Sequence, residues 1–196
     1  MTLRSHQAPK RRIFPHQFSC LLDNPVRRFL LSPDDLADRL QLSETSRVLE
    51  VGPGSGYFSV ELAKRVPRGE LVLLDLQSEM LAKARRKLES LGVHNVRYMA
   101  AHASCYLECP DNYFDVALLV CVLGEISDQR ACLQSLRRVI RVGGLLAVHE
   151  SLPDPDMIRF GALRTLVDAQ GFIFSRRWGH SWNYTASFER AASNEP

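Results

Sequence analysis

Apolar residues come in short blocks separated by polar, glycine-rich breaks, and the blocks alternate between two periods. Runs near 47–51, 71–75, 95–99, 114–120 and 145–150 are continuous enough for buried strands. Between them lie stretches with helical spacing at about 57–66, 78–91, 128–141 and 157–170. Leu81, Ala84, Leu88 and Leu91 recur on one helical face, and Gly92 is placed to stop that helix; Gly143 and Gly171 are placed to end two others. Ser32-Pro33-Asp34-Asp35 reads as a helix start, with a capping hydroxyl, a proline whose missing N–H is harmless there, and acids matching the helix dipole. Strand–helix alternation predicts a parallel sheet covered on both faces, an α/β fold. After Gly171 the pattern changes to a strand pair, Phe172–Arg177 and Trp182–Phe188, joined through Gly179. Three regions follow: an N-terminal extension over 1–45, one domain over 46–190, and a tail over 191–196.

The first crossover carries the strongest chemical signal. Val48 to Val51 is an apolar run interrupted by Glu50, and Gly52, Gly54 and Gly56 follow at alternate positions before the amphipathic Val60–Val66. Glycines there allow a sharp strand-to-helix turn and close approach of a ligand to the backbone, and the helix N-terminus favours an anionic group. A dinucleotide fingerprint would read G-x-G-x-x-G; here the spacing is G-x-G-x-G, with Tyr57 where the last dinucleotide glycine would stand. Asp75 ends the next strand roughly 20 residues on, where a carboxylate can accept from ribose hydroxyls of any adenosine ligand.

Taken in order, Glu50, the glycine loop and Asp75 resemble the class I S-adenosylmethionine-dependent methyltransferases. Asn112-Tyr113-Phe114-Asp115-Val116-Ala117-Leu118-Leu119, the segment Val122–Asp128 and the approach Arg138–Leu146 are similar to the later landmarks of that family. The resemblance covers about residues 46–190 and is nearest to the small-molecule branch of quinone-biosynthesis and arsenite enzymes. Asp23-Asn24-Pro25, Arg27-Arg28 and Trp182–Phe188 also look like that branch. It implies a Rossmann-like, doubly wound, mostly parallel seven-stranded sheet with one antiparallel strand and S-adenosylmethionine as cofactor. The implied site is Gly52, Gly54 and Gly56 around the methionine part, Glu50 orienting its ammonium, Asp75 on the ribose and Leu76 against adenine, with Ala103 and Val120 bordering the crevice. Relatives commonly read G-D-A after the third strand; this chain reads Ala101-His102-Ala103, so His102 stands where an aspartate would accept from the adenine amino group.

Methyl transfer from a sulfonium needs positioning more than catalytic side chains, so a triad or a metal is not expected. An acceptor with a proton to lose needs a base, and Glu125, His149, Glu150, His180 and Tyr184 are the candidates. His149 and Glu150 are adjacent on one strand and should face opposite sides of the sheet.

Composition narrows the partners. A chain of 196 residues with 45% hydrophobic content can bury a core of its own, and no apolar run reaches a membrane span. Five cysteines without a C-x-x-C pair suit reduced thiols in a cytoplasmic protein better than a disulfide framework, a zinc site or a three-thiolate arsenite site. Net charge is only +3, and Val120-Cys121-Val122-Leu123 replaces the Asn/Asp-Pro-Pro-aromatic tetrapeptide of base-methylating enzymes, so nucleic acid is disfavoured as substrate. Positive charge gathers at Arg4, Lys10, Arg11 and Arg12, which suits a disordered basic arm, a membrane-surface or anionic-partner contact, or an organelle-targeting peptide, and Phe18–Leu31 is apolar enough to pack on the domain or cover its pocket as a lid. The reading is a methyltransferase for a small, partly apolar acceptor. A nucleic-acid methyltransferase, a non-catalytic S-adenosylmethionine-binding protein and an NAD-dependent oxidoreductase are the alternatives.

Overall fold

In the computed structural model, which describes residues 31–192, every apolar run becomes a strand of one seven-stranded sheet in the order β3-β2-β1-β4-β5-β7-β6. The elements are α1 (Pro33–Arg39), β1 (Arg47–Val51), α2 (Ser59–Arg65), β2 (Glu70–Asp75), α3 (Ser78–Ser90), β3 (Val96–Ala100) and β4 (Phe114–Val120). Then come α4 (Gln129–Val139), β5 (Ile140–Ser151), α5 (Phe160–Asp168), β6 (Phe172–His180) and β7 (Asn183–Arg190). Strands β1 to β5 are parallel, and β7 runs antiparallel between β5 and β6. The basic residues before Asp23, and Asp23-Asn24-Pro25 with Arg27-Arg28, lie outside the described residues.

Two apolar layers cover the sheet, which is why its central strands read as unbroken runs rather than alternations. Leu49, Val51, Leu119, Leu146 and Val148 pack under α4 and α5. Val48, Leu71, Leu73, Leu118 and Ala147 pack on the other face with Leu36, Leu62 and Leu88 of α1, α2 and α3. Leu31, Ala37 and Leu40 belong to that second layer. Each fully buried leucine contributes about 1.5–3 kcal/mol, so this double layer is ample to hold the strand ends where they are.

Local signals set most boundaries. Ser32 Oγ accepts from Asp35 N at 3.0 Å and Pro33 opens α1. Gly92, at φ +71°, closes α3: its N–H reaches Glu89 O, and Val93 N reaches Leu88 O, both at 3.0 Å. Gly171, at φ +79°, follows α5 in the same way and bonds Asp168 O. Leu81, Ala84 and Leu88 are buried as the spacing predicts, whereas Leu91 is 57% exposed at the helix end.

Three expectations are corrected. Gly143 does not end a helix: α4 stops at Val139, and Gly143 lies inside β5 at φ +71° where that long strand crosses an irregular register with β4. Gly179 does not join the last strand pair. It sits within β6 opposite Tyr184, at φ +89°, where a Cβ would collide with the Asn183 carbonyl oxygen, and the chain turns at 181–182. Finally, α5 begins at Phe160 rather than near 157, because 152–159 is a loop tied back to the sheet.

Candidate functional site

The chain leaves β1 towards β2 and β3 on one side and reaches β4 and β5 on the other. The reversal between β1 and β4 opens a crevice at the carboxyl ends of those strands. The loop at its floor has Gly52, Gly54 and Gly56 at φ +67°, +58° and +81°, conformations that side-chain-bearing residues avoid. Gly52 also has no room for a side chain: a Cβ would lie 2.5 Å from Val122 Cγ2, in the loop after β4. At Gly56 a Cβ would press on Ala84 of α3 at 3.2 Å.

The glycine amides are already engaged. Gly52 N donates to Leu74 O at 2.8 Å and Gly56 N to Pro53 O at 3.0 Å. Gly54 N donates to the Asp75 carboxylate, which also accepts from the Leu76 amide and, at 2.8 Å through Oδ1, from Gln77 N. Asp75 thereby ties the end of β2 to the glycine loop. Burial raises its pKa and these three donors oppose the rise. A carboxylate offers about four acceptor sites, so it can still take a further donor. Leu76 beside it is 40% exposed, an apolar surface open to the crevice.

Glu50 is 2% exposed, on the face covered by α2, and accepts a 2.6 Å hydrogen bond from Ser59 Oγ in the first turn of that helix. A bond this short fixes the Glu50 rotamer. His102 is exposed in the loop after β3, its carbonyl accepting from Cys105 N at 3.0 Å. Ala103 is half-buried against the α4 layer. Val120 ends β4, 7% exposed, and Cys121 follows at φ +54°, its N–H bonded to His149 O at 2.8 Å.

The base candidates separate. Glu125 is half-buried in the loop after β4. His149 and Glu150 face opposite sides of β5. His149 is 2% exposed on the α1 side, its Nδ1 3.1 Å from Thr185 Oγ1, which accepts from Arg39 Nη1 at 2.8 Å. Glu150 is fully buried on the α5 side, accepting from Ile158 N at 3.0 Å. Burial pushes its pKa up to about 8, with Asp154 and Glu125 adding to the rise. Tyr184 donates its phenol to Ile158 O at 2.6 Å, and burial, then Glu150, push its pKa further up, so the phenolate a base requires is not populated near neutral pH. His180 ends the outermost strand, stacked on Trp182, three strand spacings or about 14 Å from β4.

Ser59 behind Glu50, Val122 against Gly52 and the Arg39–Thr185–His149 chain went unread in the sequence. Only Ser59 left a trace there, as a polar residue opening an apolar helix face. Among the described residues no group of three or more His, Cys, Asp and Glu could hold a metal ion, and no helix is long and apolar enough to cross a membrane. Cys105 is exposed while Cys109 is buried beside Arg97, so these two thiols do not face a common site.

Residues 48–144 match the family described as a methyltransferase domain. With its glycine loop at the switch point and its penultimate position in the sheet held by an antiparallel strand, the chain has the fold of the class I S-adenosylmethionine-dependent methyltransferases around that domain. A ubiquinone/menaquinone biosynthesis C-methyltransferase of Shewanella frigidimarina is 37% identical over 116 residues, 58% of this chain and 46% of that protein. Its counterpart from Pasteurella multocida is 39% identical over 106 residues, 53% of this chain and 39% of that one. The matched segments thus span less than half the length of these relatives. A SAM dependent methyltransferase from Aquifex aeolicus superposes with a TM-score of 0.84 over 91% of this chain and all of that one, at 23% identity, a likeness of fold.

Proposed function

We propose that the crevice binds S-adenosylmethionine and that the protein transfers its methyl group to a small, partly apolar acceptor. The observation that carries this is the pairing of two carboxylates, Glu50 and Asp75, with a glycine loop whose three glycine amides are satisfied internally. A pyrophosphate needs free amides or cations at that place. The loop from Glu50 to Ser59 contains neither lysine nor arginine. An ammonium and ribose hydroxyls, by contrast, are donors, and carboxylates are what they require.

In this reading Gly52, Gly54 and Gly56 lie against the methionine part and Glu50, locked by Ser59, sets the negative charge that orients its ammonium. Asp75 takes the ribose hydroxyls. Leu76 and Ala103 flank adenine, His102 accepts from its amino group, and Val120 borders the methyl end. When bound, the cofactor supplies an electrophilic methyl carbon; the chain's part is to hold an acceptor against it and keep water out, an effect worth on the order of 7–11 kcal/mol.

The relatives' names specify transfer to carbon in ubiquinone and menaquinone biosynthesis. We extend that to this chain as an aromatic or enolic carbon acceptor, whose proton must leave after methylation. Calorimetry with S-adenosylhomocysteine and with NAD tests the reading. Saturable binding of the first and none of the second is expected; NAD binding that depends on Gly52 would sink it.

A further inference from the structure

Glu150 is a buried acid that the proposed chemistry leaves without a task. It has no exposed surface, yet among the described residues only one of its oxygens finds a partner: Oε2 accepts from Ile158 N at 3.0 Å, while Oε1 is buried without one. Directly across the ladder from it, Tyr184 donates to Ile158 O at 2.6 Å. The two side chains grip both polar backbone groups of one residue, at the far end of the 152–159 segment between β5 and α5. That segment lies on the loop after β4, where a Cβ on Gly124 would collide with the Asp156 carbonyl oxygen. The same loop meets the glycine cradle where Val122 fills the space beside Gly52. One line of close contacts therefore runs from the cradle, through the loop after β4, to the gripped segment.

The two charged groups that act on Glu150 are both acids. Asp154, in the gripped segment, and Glu125, in the loop after β4, both act on it unfavourably. Tyr184 faces it from β7, and Arg177 of β6 and Cys121 act on the Tyr184 phenol. An ionised carboxylate here would be desolvated, with one oxygen unmet, beside two other acids. The neutral acid avoids the desolvated charge and the repulsion from the two acids, and keeps the Ile158 bond.

We propose that Glu150 carries its proton at neutral pH and that this proton holds the 152–159 segment closed on the loop after β4, so that Glu150 and Tyr184 form a proton-operated clamp at the crevice. When the proton passes to solvent, the carboxylate is left facing Asp154 and Glu125, and the segment opens to hydrate it. That the clamp controls entry of a methyl acceptor rests on the function proposed above; the clamp itself does not.

Hydrogen exchange read by mass spectrometry on the full, unliganded chain tests it, with rates corrected for intrinsic pH dependence. In wild type, protection of the 152–159 amides falls by up to about tenfold for each pH unit as pH rises towards about 8, and levels off above it. In Glu150→Gln, whose amide oxygen still accepts from Ile158, protection stays level. Tyr184→Phe removes one grip but not the proton, so its protection is lower throughout and still falls as pH rises towards about 8. A level wild-type profile, an equal fall in Glu150→Gln, or a Tyr184→Phe profile matching wild type overturns the clamp. Should Glu150→Gln not fold, carbon-13 titration of the Glu150 carboxyl in wild type decides, because ionisation by about pH 6 contradicts the proposal. No cofactor enters these measurements, so failure here is separate from failure of the methyltransferase reading.

Discussion

Gly52 and Val122 stand so close that a Cβ on the glycine would lie 2.5 Å from a Val122 methyl carbon, and this contact joins the cradle to the loop after β4. Gly52→Ala therefore meets two obstacles at once, the collision and a φ of +67°. The substitution is expected to cost about 1–3 kcal/mol of stability and at least tenfold in affinity for S-adenosylhomocysteine. Urea unfolding and calorimetry measure the two effects. Gly52→Ala with Val122→Ala relieves the collision but not the backbone strain, so it should recover only part of each; full recovery would show that strain plays no role.

The Glu50–Ser59 bond predicts a purely local loss. Ser59→Ala removes a donor from a buried carboxylate and should cost about 1–3 kcal/mol in chemical unfolding. It should also weaken S-adenosylhomocysteine binding, because Glu50 loses its fixed rotamer. Unchanged affinity would mean that Glu50 serves the fold alone.

Much of this was legible in the residues. The glycine spacing, the acids at the ends of β1 and β2 and the caps at Ser32, Gly92 and Gly171 act through near neighbours, and local pattern reports near neighbours well. The misplacements share a different origin. Met157 and Ile158 continue the apolar spacing of α5 by sequence, yet Glu150 and Tyr184 hold the Ile158 backbone out of that helix. Gly143 and Gly179 look like chain stops, but Gly179 pairs with Tyr184 inside β6 and Gly143 falls within β5 at its register irregularity with β4, both set by distant segments. Gly124 acquires its reason only when Asp156 is brought against it.

Glu150 makes stability depend on pH. Folded, it keeps its proton up to about 8, whereas in the unfolded chain it releases it near the ordinary glutamate value of about 4.3. Between those values the folded state binds more protons, so stability from this group falls as pH rises, by up to about 1.4 kcal/mol per unit, and levels off above about 8. Urea unfolding at several pH values should show this slope in wild type and its loss in Glu150→Gln.

His102 is exposed in the loop after β3, where a ring nitrogen can accept from the adenine amino group. His102→Ala should then weaken S-adenosylhomocysteine binding by roughly threefold to tenfold, the worth of one hydrogen bond. Calorimetry on the two proteins checks this; unchanged affinity would remove His102 from the cofactor site.

The most direct measurement is a crystal structure grown with S-adenosylhomocysteine. It is predicted to place the ribose hydroxyls on Asp75, the methionine part along Gly52 to Gly56 and the sulfur facing the end of β4. A crevice closed by side chains under saturating ligand, or one that takes a phosphate-bridged nucleotide in its place, would contradict the account.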